Sequence, residues 1–191
     1  MKIIKLEQGS QEWLEYRLSR LTGTDMSAIM GMNPWKSALD VYSEKMGLEA
    51  PIQINAAMQR GMDEEDNARE LYNNTHGTNF IPQVIQSEKY PWAMASLDGM
   101  DGLRFLEIKT PQEKNYEKLC KAIPAYYFVQ MQMAFLSSDG LFDEAVFAVY
   151  RPESKTLHET PVQRDDGLIW EMQQEGELFV ERLRTFNPPL K

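Results

Sequence analysis

Apolar positions along the chain recur first at helical spacing, then alternate, then return to helical spacing. After Ser10, a residue type that caps helices, Leu14, Leu18 and Leu21 follow the helical period while Glu12, Glu15, Arg17 and Ser19 fall elsewhere on the wheel. A second, short helix is predicted from near Thr24, stopped by Gly31, Asn33 and Pro34, which leaves Trp35 in a loop. Ser37 caps a third that Gly47 closes. The longest is predicted from about Asn55 to about Tyr72, with Ala57, Gly61, Ala68 and Leu71 as a partly small-residue inner face and Asn73-Asn74 with Gly77 as its end.

Between Phe80 and Lys109 alternation and turn signals replace the helical period. Strands are predicted over Phe80–Ser87, Trp92–Leu97 and Leu103–Lys109, with Asp98-Gly99 and Asp101-Gly102 marking the turn between the last two. Helices return over Glu113–Ala122 and Pro124–Leu136, strands over Ala145–Tyr150 and Thr156–Val162, and a closing helix over Asp166–Leu183 before a Pro188-Pro189 tail. That order fits one α/β domain over residues 1–191, built on a mixed sheet.

Composition narrows the classes. A chain of 191 residues with 42% hydrophobic and 26% charged positions has material for one sizeable core and is not wholesale disordered. Twenty basic against twenty-nine acidic residues, net −9, argues against a surface made to coat nucleic acid or anionic membrane, while leaving room for a local basic groove. The single cysteine, Cys120, excludes an internal disulfide framework, a Cys-rich zinc site and a four-cysteine iron–sulfur cluster, and fits a reducing compartment. Glu7 and Gln8 interrupt the start Met1 to Leu6 before it reaches signal-peptide length, and no later run approaches ~18 apolar residues. A cytoplasmic location with no membrane partner is the expectation.

Chemistry concentrates in Ser96-Leu97-Asp98-Gly99 and Glu107-Ile108-Lys109. On a strand the period of two sends Phe105, Glu107 and Lys109 to one face, expected to be charged, and Leu106 and Ile108 to the other, expected to be apolar. Asp98, on the neighbouring strand of a hairpin, comes alongside Glu107, and two adjacent carboxylates repel unless a cation lies between them. Hard oxygen ligands select Mg²⁺ or Mn²⁺ over zinc. An ammonium at Lys109 then suits the orientation of an attacking water and the neutralisation of a phosphoryl transition state. By itself a Glu-x-Lys pattern is more often an exposed charge pair, with Asp98-Gly99 a plain turn, because so short a motif arises by chance in most chains.

Further residues extend the pattern. Gln8-Gly9-Ser10-Gln11-Glu12-Trp13 leads to Arg17, Thr22 and Thr24, then to Arg60-Gly61 with Glu65, and after the Asp98, Glu107, Lys109 group come Tyr127, Gln130 and Gln132. From about Gln8 to Gln132 this ordered series resembles the lambda-type phage recombination exonucleases, the alkaline nuclease branch of the PD-(D/E)xK superfamily. The resemblance implies a three-layer, restriction-endonuclease-like α/β core with a central mixed sheet flanked by helices. It implies Mg²⁺-dependent hydrolysis, with two ions and Mn²⁺ as a substitute, that digests the 5′-ended strand of linear double-stranded DNA and leaves 3′ tails for recombination by annealing. Asp98, Glu107 and the carbonyl of Ile108 then correspond to metal ligands, Lys109 to the catalytic lysine and Glu65 to an additional acidic residue near the metal. Arg17, Thr24 and Ser96 correspond to the pocket for a terminal 5′-phosphate, and Gln130 to the glutamine that follows the nuclease motif on its helix. The resemblance also implies a homotrimer, a single-strand annealing protein as partner, and a phage or prophage gene acting in a bacterial cytoplasm.

Two departures stand out. Leu97 takes the place of the proline that often precedes the catalytic aspartate, and Lys114 is the nearest match to a basic residue usually found after the lysine. Lys114, Lys118 and Lys121 form one helical stripe, which serves either a DNA backbone contact or a solvated face balanced by Glu113 and Glu117. Trp13, Trp35, Trp92 and Trp170 are assigned to the core or subunit contacts, and His76 and His158 stand apart from any partner motif. An endonuclease of the same superfamily needs no terminal-phosphate pocket, and a non-catalytic DNA-end scaffold needs no intact Asp98, Glu107 and Lys109.

Overall fold

Short polar side chains start the first helices where the pattern places them. The Ser10 hydroxyl accepts from the Trp13 amide at the start of α1 (Gln11–Leu18). Thr22 with Asp25 and Ser37 with Asp40 form capping boxes for α2 (Gly23–Ile29) and α3 (Ala38–Lys45). The computed structural model describes residues 1–48 and 56–190, so the expected start at Asn55 and the Ala57 side chain lie outside the described residues. The long helix α4 (Ala56–His76) runs past Asn73-Asn74. The Asn73 side chain bonds forward instead, accepting from the Phe80 amide at 2.8 Å and donating to the Phe80 carbonyl at 3.0 Å, and the helix ends at Gly77, whose φ of 64° suits glycine. Its inner face is Ala68, Arg69 and Tyr72 rather than Gly61, which has open space beside it.

Six strands are seen among the described residues, in the order β1 (Lys2–Ile4), β2 (Ile81–Gln86), β3 (Met94–Asp101), β4 (Arg104–Lys109), β5 (Glu144–Arg151) and β6 (Thr156–Val162). All neighbours are antiparallel except β4 and β5, which run parallel and are joined through α5 (Glu113–Lys121) and α6 (Ala125–Ser137). The sheet is therefore mixed, as expected. The N-terminal strand has no counterpart in the sequence pattern, because Lys2 to Ile4 is too short for a periodic signal and is fixed by its pairing with β2.

Asp98 and Gly99 lie inside β3, correcting their expected place in a turn; the hairpin reverses at Gly102 and Leu103. A side chain at position 99 would meet Phe80 Cβ at 2.8 Å, so glycine serves close packing there rather than a bend. Both faces of the sheet are covered. Ala68 and Tyr72 of α4 pack with Phe80, Leu106, Ile108, Ala148 and Tyr150 on one side. On the other, α2, α6 and α7 (Asp166–Arg184) bring Met26, Phe135, Met172 and Phe179 against Ile85, Leu97, Phe105 and Phe147. This corrects the expectation of a charged and an apolar face on β4: Phe105 is fully buried in the larger core, and Glu107 follows it to 9% exposure. Among the described residues no helix is long and apolar enough to cross a membrane.

Candidate active site

The β3–β4 register pairs Gly99 with Leu106, so the next position brings Asp98 alongside Glu107. Where the backbone ladder stops, the Asp98 carboxylate takes over and accepts the Ile108 amide at 2.7 Å. Since a strand residue directs its N–H and C=O to the same side, the Ile108 carbonyl faces this gap too. Lys109 reaches back to Glu107 at 2.6 Å, and its Nζ stands 5.0 Å from the centre of the Tyr127 ring.

Electrostatics here are strongly biased. Burial pushes the Asp98 carboxyl well above the usual carboxylate range, and the charges of Glu107 and, more weakly, Glu65 add to the push against the pull of Lys109 and the Ile108 amide. Burial works against the Lys109 charge, but Glu107 and Asp98 outweigh it and hold the ammonium above its ordinary value. With one ammonium beside them, Asp98 and Glu107 are both ionised at little cost only where a further cation offsets the second charge.

Sequence reasoning missed Arg69. Only 8% exposed, it donates to the Asp98 carbonyl at 2.6 Å and to Glu65 at 3.0 Å, and it pairs with Asp66. It ties α4 to β3 at the position carrying the acid. The spacing of Glu65, Asp66 and Arg69 on a helix was a readable signal of ion pairing, but the carbonyl on β3 was not.

The phosphate-pocket candidates converge on the same cleft. A cavity of about 240 Å³ is lined by Arg17, Thr24, Ser96, Asp98, Glu107, Lys109 and Gln130, together with Gln8, Trp13 and Gly23. Trp13 donates from its indole nitrogen to Ser96 Oγ at 3.0 Å, and the Arg17 guanidinium lies over the Trp13 ring at 4.3 Å. Gln8 donates to the Leu97 carbonyl at 3.1 Å. Gln130 Nε2 sits 3.4 Å from Thr24 Oγ1, because Gly23 lets α2 approach the backbone of α6. Glu65 and Lys114 are not among the lining residues: Glu65 is linked to the site only through Arg69, which bonds both its carboxylate and the Asp98 carbonyl, and Lys114 is exposed on α5. Gln132 is structural: it donates to the Gln163 carbonyl and accepts from the Asp165 amide. A larger cavity of about 480 Å³, around Arg20, Met46 and Trp92, contains none of the expected site residues.

Trp35 and Trp170, expected in the core or at subunit contacts, are not in the core, being 74% and 61% exposed. His76 contacts a single carboxylate, Glu159 of β6, at 2.9 Å. Among the described residues no three His, Cys, Asp or Glu side chains gather into a metal cage.

Known proteins share this fold. The alkaline exonuclease LHK-Exo from Laribacter hongkongensis superimposes with a TM-score of 0.80 at 27% identity, over 93% of this chain and 94% of that one. A phage-related exonuclease from Haemophilus somnus 129PT has the same fold, with a TM-score of 0.68 at 15% identity, over 87% of this chain and 94% of that one. An uncharacterized protein, YqaJ of Bacillus subtilis (strain 168), is 28% identical over 170 residues, which are 85% of this chain and 53% of YqaJ; the chain thus spans about half the length of that relative. Residues 12–140 match the YqaJ-like viral recombinase domain, a stretch that holds every residue of the cleft from Trp13 to Gln130, and the chain belongs to that family.

Proposed function

We propose that this chain is a metal-dependent 5′-to-3′ exonuclease that digests one strand of linear double-stranded DNA and leaves 3′ tails for strand annealing in phage recombination. The observation that carries this reading is the single cleft holding Asp98, Glu107 and Lys109 beside Arg17, Thr24 and Ser96. Hydrolytic groups and a set of phosphate donors lining one cleft suit attack at the end of a strand rather than within it. The likeness to LHK-Exo, whose structure is also known in complex with dAMP, supports a nucleotide product.

The donor set fits Mg²⁺. Asp98, Glu107 and the Ile108 carbonyl are hard oxygens, and Mg²⁺ is usually held by one or two carboxylates with waters completing its shell. These three would hold it, with Glu65 assisting, two ions being the proposed number and Mn²⁺ a substitute. Bound there, the metal supplies Lewis-acid stabilisation of charge on the phosphate. Arg17 offers a planar, permanently charged fork to the terminal phosphate, stacked on Trp13 so that little side-chain freedom is lost. Thr24 and Ser96 add hydroxyl donors, Ser96 being oriented by the indole N–H. Lys109, kept protonated by its carboxylate neighbours, positions the attacking water and offsets negative charge as the phosphodiester breaks. Gln130 holds the Thr24 side of the pocket. Lys114, on the exposed face of α5, extends the substrate contact along the backbone.

A homotrimer with an annealing-protein partner completes the proposal on family grounds. The test is digestion in Mg²⁺ of linear duplexes bearing 5′-phosphate or 5′-hydroxyl beside a covalently closed circle. Degradation of the phosphorylated linear duplex alone is expected, and cutting of the circle would replace the reading by an endonuclease.

A further inference from the structure

Trp35 stands in the loop between α2 and α3, 74% exposed, yet it is firmly placed. Its amide donates to Asn33 Oδ1 at 2.9 Å, Asn33 donates in turn to Ser27 Oγ at 3.2 Å, and the Met32 and Asn33 amides both bond to the Ser27 carbonyl. The Tyr126 and Trp35 rings meet in a T-shape, with centres 5.1 Å apart at 74°, and the exposure of Trp35 shows that this contact leaves most of the residue open. From there the rings continue inward: Tyr126 to Tyr127 at 4.4 Å, and Tyr127 to the Lys109 ammonium at 5.0 Å. A continuous aromatic track thus leads from the surface to the proposed catalytic lysine. Trp170, also exposed on α7, has no such track among the described residues.

We infer that Trp35 is a stacking platform for a nucleobase of the strand fed into the cleft. This rests on the exonuclease reading. Three steps of about 5 Å put Trp35 within roughly four nucleotide rises of Lys109, at 3.4 Å each, so the same strand reaches both. Stacking suits an enzyme that must accept every sequence, because each base offers a π-face and none is read by hydrogen bonds. A flat, rigid ring also loses little conformational freedom on binding, unlike a flexible side chain.

The test uses 5′-phosphorylated duplexes with a four-nucleotide 5′ overhang that either carries bases or is abasic, their binding followed by anisotropy in EDTA so that nothing is cut. The full chain should prefer the base-bearing overhang by about fivefold or more, the lower end of what one stacked base contributes. Trp35→Ala should bring the two substrates within about twofold of each other, Trp35→Phe should keep most of the preference, and both should melt like the parent. An unchanged preference in Trp35→Ala, or none in the parent, would overturn the inference. So would loss of oligomeric mass in Trp35→Ala by sedimentation with the preference intact, which would make the ring a subunit contact. The exonuclease reading fails separately, if Lys109→Ala still digests DNA in Mg²⁺.

Discussion

Gly23→Ala sets two physical effects against each other, and the structure decides between them. Gly23 opens α2, where alanine is the better helix former by at most about 1 kcal/mol, so local propensity predicts a more stable protein. A Cβ there, however, would lie 2.8 Å from Gln130 Cα, 3.0 Å from its Cβ and 3.1 Å from its carbonyl oxygen. Two of these are backbone atoms of α6, so no side-chain rotation relieves the clash and the helices must separate. Overpacking of this kind costs about 1–3 kcal/mol. The net expectation is a loss of about 1–2 kcal/mol, seen as a thermal midpoint lower by roughly 2–8 °C for a domain of this size. Thermal melts of parent and variant, checked by urea unfolding, measure it. Separation of α2 from α6 also moves Thr24 from Gln130, so digestion of 5′-phosphorylated ends should weaken more than stability alone accounts for. A variant that melts at or above the parent would refute the argument, because it would mean that propensity outweighs contact and that α2 does not approach α6 this closely.

Lys109→Met should lose at least 100-fold in Mg²⁺-dependent digestion while the fold survives, as circular dichroism will show; near-parental turnover would remove the lysine from the mechanism. Arg17→Ala should reduce the preference for 5′-phosphate over 5′-hydroxyl ends by about 10-fold or more, the loss of one charged hydrogen-bonding contact, and equal loss on both ends would remove the pocket. Burial raises the Asp25 carboxyl, but Lys45 at 2.8 Å and Lys36 at 3.2 Å outweigh it and bring it to about 2 from an ordinary 3.8. A depressed carboxylate stabilises above its unfolded value, so about 2 kcal/mol should be present above pH 5 and lost as pH falls toward 2; parent and Asp25→Asn curves that stay parallel in acid would contradict this. Arg151 of β5 pairs with Glu113 of α5 at 2.5 Å and reaches Glu117 at 4.0 Å, so these carboxylates are drawn to Arg151 and the stripe of Lys114, Lys118 and Lys121 is left net positive. Replacing the three lysines by alanine should reduce the slope of log affinity against log salt on duplex DNA by about 2.7, and an unchanged slope would place the DNA elsewhere.

What the sequence determined by itself is what depends on near neighbours. Ser10, Thr22 and Ser37 start helices because a capping side chain reaches only three residues ahead, and the pairing of Glu107 with Lys109 follows from the strand period of two. Asp98 beside Glu107 is legible for the same reason, even though the pattern puts the turn too early: Asp98 and Gly99 look like turn residues locally, and the packing of Phe80 over position 99 keeps them in the strand. The tertiary structure decided whatever spans long separations. Arg69 reaches the Asp98 carbonyl across 29 positions, Thr24 meets Gln130 across 106, and β1 exists only through β2. Burial was equally out of reach, since Phe105 and Glu107 are enclosed because helices cover both sheet faces, while Trp35 is left open by a loop that Ser27 and Asn33 hold clear of the core. Periodicity specifies which face a side chain takes; what lies over that face is set by the chain's return from far along the sequence.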